Sequence, residues 1–268
     1  MSAEHFWLEN LIVLGQGAPN RIRKIGGQQG RCVCAWSEEL GFCRLYPLPY
    51  GYVHDWDIID VDVRLPSQDG RKNTFVIYNY EDEWQDLRKR ICIHGHRGRS
   101  GKWVHEKLPK GERIRLVERL SKGQSFSKIR DAGESFGIIE PERMEFFLKQ
   151  NRKSAAMQHR ITSFVKDLGM LDDVIMDQKD FAWIPYIQYW CKYECSAAHP
   201  HEQKIVEWGA YRFMMKGDPS DREYCEKLKD NYHIGDPSYK YYLLIGNIKK
   251  YPRTYIVVKV IRFKLPDR

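Results

Sequence analysis

The stretch Cys191-Lys-Tyr-Glu-Cys195-Ser-Ala-Ala-His199-Pro-His201-Glu202 concentrates the residue types best suited to chemistry. Two thiols and two imidazoles, spaced C-x3-C-x3-H-x-H, supply the soft and borderline donors that zinc takes in a tetrahedron. The spacing differs from a standard finger, in which a longer segment separates the two ligand pairs. If Cys191, Cys195, His199 and His201 all bind, the site is closed and structural. If only three bind, a water position stays open, and Glu202 or Glu207 is the candidate proton carrier. Their sequence positions, five apart, forbid both from facing one metal on a regular helix, and Glu202 is favoured as the nearer. The alternative is a packed cysteine pair with two surface histidines.

A second segment carries charge. Arg88, Lys89, Arg90, Arg97, Arg99 and Lys102 fall within 88–102, which contains no Asp or Glu. Gly95, Gly98 and Gly101 make it pliable, and Trp103 follows. Cations track phosphates and an aromatic ring stacks on bases, so this reads as a nucleic-acid-binding loop. Within it Cys92, His94 and His96 would share one face if the chain is extended, without an obvious fourth ligand. Smaller basic groups lie at Arg21, Arg23 and Lys24, at Asn151-Arg-Lys153 with His159-Arg160, and at Lys249, Lys250 and Arg253. They matter only if the fold gathers them.

These groups must be held by elements. Arg31–Trp36, Gly41–Tyr46, Trp56–Val63 and Asn73–Tyr80 are short segments rich in β-branched, aromatic and cysteine residues, separated by turn residues. They predict a small barrel or curled sheet. Ile59, Val61 and Val63 alternate with Asp60, Asp62 and Arg64, giving one buried and one wet face. Residues 111–131 switch to a helical period through Ile114, Leu116, Val117 and Leu120. Ser135–Glu140 reads as a strand stopped by Pro141, Phe181–Tyr193 as an aromatic strand, and Glu202–Met215 as a helix. Residues 150–180 are polar and linker-like. Asp218-Pro219 reads as a helix start with Asp as N-cap. Tyr239–Ile248 and Thr254–Phe263 form a closing β-hairpin. The fold class is therefore α+β: residues 1–110 a β-rich domain carrying the basic loop, and 111–268 an α+β domain carrying the Cys/His cluster.

Composition bounds the function. The 268 residues carry 44 Lys and Arg against 36 Asp and Glu, a net charge of +8, with 35 aromatics. That surplus suits a partner with phosphates and flat bases. No apolar run approaches the roughly 20 residues of a membrane helix, and the N-terminus has no signal-peptide pattern. Seven cysteines without framework spacing fit a reducing cytoplasm. Cys32, Cys34 and Cys43, among strands, read as small buried hydrophobes. No phosphate-binding glycine loop or nucleophile elbow is present. Asp57 and Asp69 could begin a nuclease metal pair, but no Glu-x-Lys element follows.

Val33-Cys-Ala35, Arg44-Leu-Tyr-Pro-Leu-Pro49, Trp56-Asp-Ile-Ile-Asp-Val61 and Asp69-Gly-Arg71 resemble a family of uncharacterised bacterial proteins. The resemblance continues through Glu134-Ser-Phe-Gly-Ile-Ile-Glu-Pro141, the Cys/His cluster, Tyr242-Leu-Leu-Ile-Gly-Asn247 and Tyr255-Ile-Val-Val258. Where the family pattern ends its cluster in Asp-Trp-Glu, this chain has Glu207-Trp208-Gly209 and lacks a carboxylate. The resemblance brings no activity with it. The expectation is a zinc-containing, DNA-binding protein of a prokaryotic DNA modification or restriction-type process. The alternatives are a zinc- or cysteine-dependent hydrolase acting on a nucleobase, and a scaffold binding an acidic protein. Residue types alone separate neither DNA from RNA nor one oligomeric state from another.

Overall fold

The computed structural model describes residues 4–49, 51–151, 178, 181–218 and 220–266. The linker-like reading of 150–180 and the basic pair at 159–160 fall almost wholly outside them. The fold is α+β. Its N-terminal half is a sheet formed by β1 (Phe6–Gln16), β2 (Asn20–Ile22), β3 (Gln28–Ser37), β4 (Gly41–Leu48), β5 (Ile58–Arg64), β6 (Thr74–Ile77) and β7 (Ile91–Ile93). The order is β1-β3-β4-β6-β5, and β5 pairs back onto β1, closing a five-stranded barrel with β2 and β7 as additions. All pairings round the barrel are antiparallel except β4–β6. Counting the barrel strands in chain order, this is 1-2-3-5-4-1 with the third and fifth parallel, the Greek-key connectivity of an OB-fold.

One long strand serves two neighbours because it bends. The first half of β1 pairs with β5 and the second with β3, with irregularities between Leu8 and Leu11 and between Val13 and Gly15. Asn10, at φ 53°, takes the left-handed conformation at the first of them. At the second, a Cβ on Gly15 would lie 2.9 Å from Leu244 Cδ2. Glycine therefore lets the barrel wall approach the second half of the molecule. Leu11, Val33, Leu45, Ile59, Val61 and Val63, all 0% exposed, fill the barrel. The expected alternation along β5 is present, yet Asp62 on its outer face is also buried, paired with Arg90 and His5.

β8 (Gly95–Arg97) and β9 (Trp103–His105) form a separate hairpin rooted on the barrel. Then come α1 (Lys110–Ser121), α2 (Phe126–Asp131), β10 (Phe136–Ile139), β11 (Pro141–Gln150), β12 (Trp183–Cys191) and β13 (His201–Lys204). α3 (Trp208–Lys216), α4 (Arg222–Glu226), α5 (Leu228–Asn231), β14 (Tyr239–Ile248) and β15 (Tyr251–Lys264) complete the chain. β10-β14-β15 and β11-β12-β13 are two three-stranded sheets. Leu116 and Val117 of α1 pack with Leu14 and Trp36 of the barrel and with Tyr242 and Leu244 of the closing hairpin, so one core joins both halves.

Three local expectations differ from the structure. Residues 202–215 are not one helix: His201, Gln203 and Ile205 are buried while Glu202 is exposed, a strand alternation, and the helix begins at Trp208. The three-residue spacing of Ile205 and Trp208 mimics a helical stripe across that boundary. Pro141 does not end sheet structure but opens β11, where a missing N–H is tolerated at a strand's first residue. The helix after 218 starts at Arg222, capped by the Asp221 carboxylate, which accepts from Tyr224 N at 3.2 Å. Asp218 instead accepts from Ser220.

Candidate metal centre and nucleic-acid interface

β12 and β13 form a hairpin in which Tyr189 faces His201. Ile187, Tyr189 and Cys191 share the buried face of β12, so Cys191 and His201 both enter the core at the same end. The connecting loop returns Cys195 and His199 to them. One donor atom from each of Cys191, Cys195, His199 and His201 lies within 4.8 Å of every other, and the group could hold a metal ion. Cys195 Sγ is 3.4 Å from His201 Nε2. With metal–sulfur near 2.3 Å and metal–nitrogen near 2.0 Å, a tetrahedral S–N edge is about 3.5 Å.

The surroundings act differently on the donors, opposing the thiolate at Cys191 and favouring the ligand form at Cys195 and His201. Burial pushes the Cys191 thiol up to about 12, against a hydrogen bond from Phe126 N–H. Burial also raises Cys195, but hydrogen bonds from Ser127 and from the Ala197 N–H outweigh it and hold that thiol below its ordinary value. Burial, with the nearby His199 and Arg130, lowers His201 to about 4, so its ring is neutral. Phe126 and Tyr189 pack their rings 4.6 and 5.1 Å from that of His201. The four donor atoms converge, and an ion bound by all four would have a closed set of ligands.

Glu202 is not among them. Its neighbour His201 points inward, strand alternation turns Glu202 out, and it pairs with Lys149 on β11. Glu207 is buried elsewhere, accepting from Lys259 Nζ at 2.8 Å, Tyr232 Oη at 2.8 Å and Val260 N at 3.0 Å. No carboxylate candidate therefore stands at the cluster. Cys92, His94 and His96 are not grouped either: His94 bonds Asp60 at 2.9 Å, and His96 lies on the next strand.

The basic residues of 88–102 divide in two. Arg90 bonds Glu83 and the buried Asp62 and so serves the barrel wall, whereas Lys89, paired with Asp86, and Arg88, over the Tyr52 ring, are exposed. Arg97, Arg99, Lys102 and Trp103 stand exposed on the β8–β9 hairpin, and Trp103 is 52% exposed. The hairpin is an ordered arm.

Lys24 and Lys249, both flagged from sequence only as scattered cations, line a single cleft of about 460 Å³. Tyr46, Arg64, Arg71 and Phe75 share it. The cleft lies across β4 and β6 and between the β1–β3 and β5–β6 connections, against the β14–β15 turn. In OB-folds the strand-2/strand-3 face and the corresponding loops are the ligand-binding side. Arg64 is held by Glu81 at 2.8 Å and Arg71 by Asp69 at 2.7 Å, while Lys249 is exposed without an ion pair among the described residues. Sequence reasoning missed this cleft because Arg64, Arg71 and Lys249 are charged residues of ordinary surface type until the barrel closes.

No protein-family model matches the chain, and no curated protein matches it. Among solved structures, one chain of a replication protein A heterotrimer bound to ssDNA matches at 8% identity and a TM-score of 0.32. The match covers 100% of this chain and 50% of that one, so the chain spans about half its length. No helix among the described residues is long and apolar enough to cross a membrane.

Proposed function

We propose that this chain is a zinc-stiffened protein that binds nucleic acid, DNA in the first instance, through the cleft of its barrel and the β8–β9 arm. The observation that carries the reading is the cleft itself. It sits on the ligand-binding side of an OB-type barrel and gathers Lys24, Arg64, Arg71 and Lys249 against the carboxylates of Asp69 and Glu81. Tyr46, half-buried in the same wall, offers an aromatic face. A groove of this kind suits a single strand, whose bases can stack on rings while its phosphates follow the cations.

The zinc group at Cys191, Cys195, His199 and His201 has a structural part in this reading. It ties the β12–β13 hairpin to α2 and contributes folding free energy. A role in a DNA modification or restriction-type process, and membership of the bacterial family resembled in sequence, extend the same proposal. The hydrolase alternative has no observation in its favour, since Glu202 faces away from the cluster.

The test is a binding titration with a labelled single-stranded oligonucleotide and its duplex across a range of salt. The single strand is expected to bind more tightly. Changing Arg97, Arg99 and Lys102 together to Ala should weaken it and flatten the log–log salt slope by about 0.7 per lost contact. No binding to either form at low salt contradicts the reading.

A further inference from the structure

We infer that His54, Asp57 and His105 form a second metal site, taking a first-row divalent transition ion at the root of the basic arm. It stands apart from the Cys/His cluster and does not depend on the nucleic-acid reading. His54 and Asp57 lie in and at the end of the β4–β5 connection, and His105 ends β9. One donor atom from each lies within 4.8 Å of the others.

The three atoms form a triangle of ligand size. His105 Nδ1 is 2.8 Å from Asp57 Oδ2, the two histidine Nδ1 atoms are 3.3 Å apart, and His54 Nδ1 is 3.5 Å from Asp57 Oδ2. Ligands about 2.0–2.1 Å from one ion stand about 2.9 Å apart in an octahedral face and about 3.4 Å in a tetrahedral one. An ordinary histidine–aspartate hydrogen bond accounts for one edge only. A proton on His105 Nδ1 serves Asp57 and leaves His54 Nδ1 facing another ring nitrogen. One cation satisfies all three edges.

The carboxylate is fixed before any ion arrives. Asp57 is 0% exposed, and its Oδ2 accepts the His54 backbone N–H at 2.7 Å. Its Oδ1 is buried with no hydrogen-bond partner among the described residues, and the Lys107 ammonium lies 3.5 Å from it. Trp56, at φ 72°, is held in the left-handed region by Val13 and Leu108 backbone bonds, and so delivers Asp57 inward from a loop. The histidines open outward: the His54 side chain is 56% exposed and that of His105 21%. The ion would thus have three protein ligands on one side and solvent positions on the other. Two imidazoles and one carboxylate select zinc, cobalt, nickel or ferrous iron over magnesium or calcium. The site joins the barrel loop to the arm, so metal occupancy would stiffen the segment that presents Arg97 and Trp103.

The test is a cobalt(II) titration of the whole, metal-stripped chain, read by absorbance. The Cys/His cluster gives intense sulfur-to-cobalt charge transfer in the near ultraviolet, and a His/His/Asp site gives weak visible bands alone. Two ions per chain are expected, one with each signature. His54→Ala, at an exposed side chain that leaves Asp57 in place, should abolish the second phase and spare the first. The loss should exceed the roughly 10–100-fold that removal of a merely orienting partner costs. His105→Ala should act in the same way. A wild-type titration that ends at the charge-transfer phase overturns the inference, as does a second phase unchanged in both variants.

Discussion

At the residue scale the Cys/His cluster is the part of the site most legible in the sequence. Its four donors lie so close along the chain that almost any compact loop brings them together, and the structure does so on a hairpin. Cys195→Ser should release the zinc proposed for that cluster and lower stability by about 3–5 kcal/mol, a size expected when a structural metal is lost. Metal analysis alongside thermal melting checks it. Glu202→Gln should leave zinc content unchanged and stability within about 0.5 kcal/mol, because the side chain is on the outer face and its pair with Lys149 is exposed. A loss of any activity measured with the parent would revive the acid/base role. Glu202 was misread because its neighbours' helical spacing hid a period of two, and period decides which face a side chain takes.

Among the elements, those with a strong period were readable and those set by tertiary contacts were not. The closing hairpin, α1 and the barrel strands follow from alternation or helical stripes within a few residues. Barrel closure does not, because it depends on β1 bending to meet both β5 and β3. Nor does the division of the basic segment, since only the packed barrel gives Arg90 its carboxylates and leaves Arg97 and Arg99 free on the arm. The arm depends on close backbone approach: a Cβ on Gly95 would lie 2.2 Å from Val104 O. Gly95→Ala should therefore open the hairpin locally. Amide exchange at Arg97 and His105 is expected to quicken while the global melting temperature moves little. Equal loss of protection across β3 and β4 would mean the arm is part of the barrel's cooperative unit.

Across the whole molecule, buried polar and ionic networks lock the barrel to the rest. Arg44, 4% exposed, donates to Ser135 O at 3.0 Å and to Asn247 Oδ1 at 3.0 Å. Lys259 bonds Asp55 at 2.5 Å and Glu207 at 2.8 Å. Burial alone would lower the Lys259 ammonium, yet those two carboxylates raise it above its ordinary value. Glu207→Gln leaves Lys259 with Asp55 alone and should cost roughly 3 kcal/mol in denaturant unfolding. None of these partners is near another in sequence, and so the seam and the cleft beside it emerge only from the fold. The central claim is that this cleft and the arm receive a nucleic acid strand. Its most direct test is a backbone amide chemical-shift titration of the full chain with a short oligothymidine. Shifts should concentrate at Lys24, Tyr46, Arg64, Arg71 and Lys249, with a second set at Arg97 and Trp103. Saturable shifts confined to other surfaces, or none at low salt, would contradict the account.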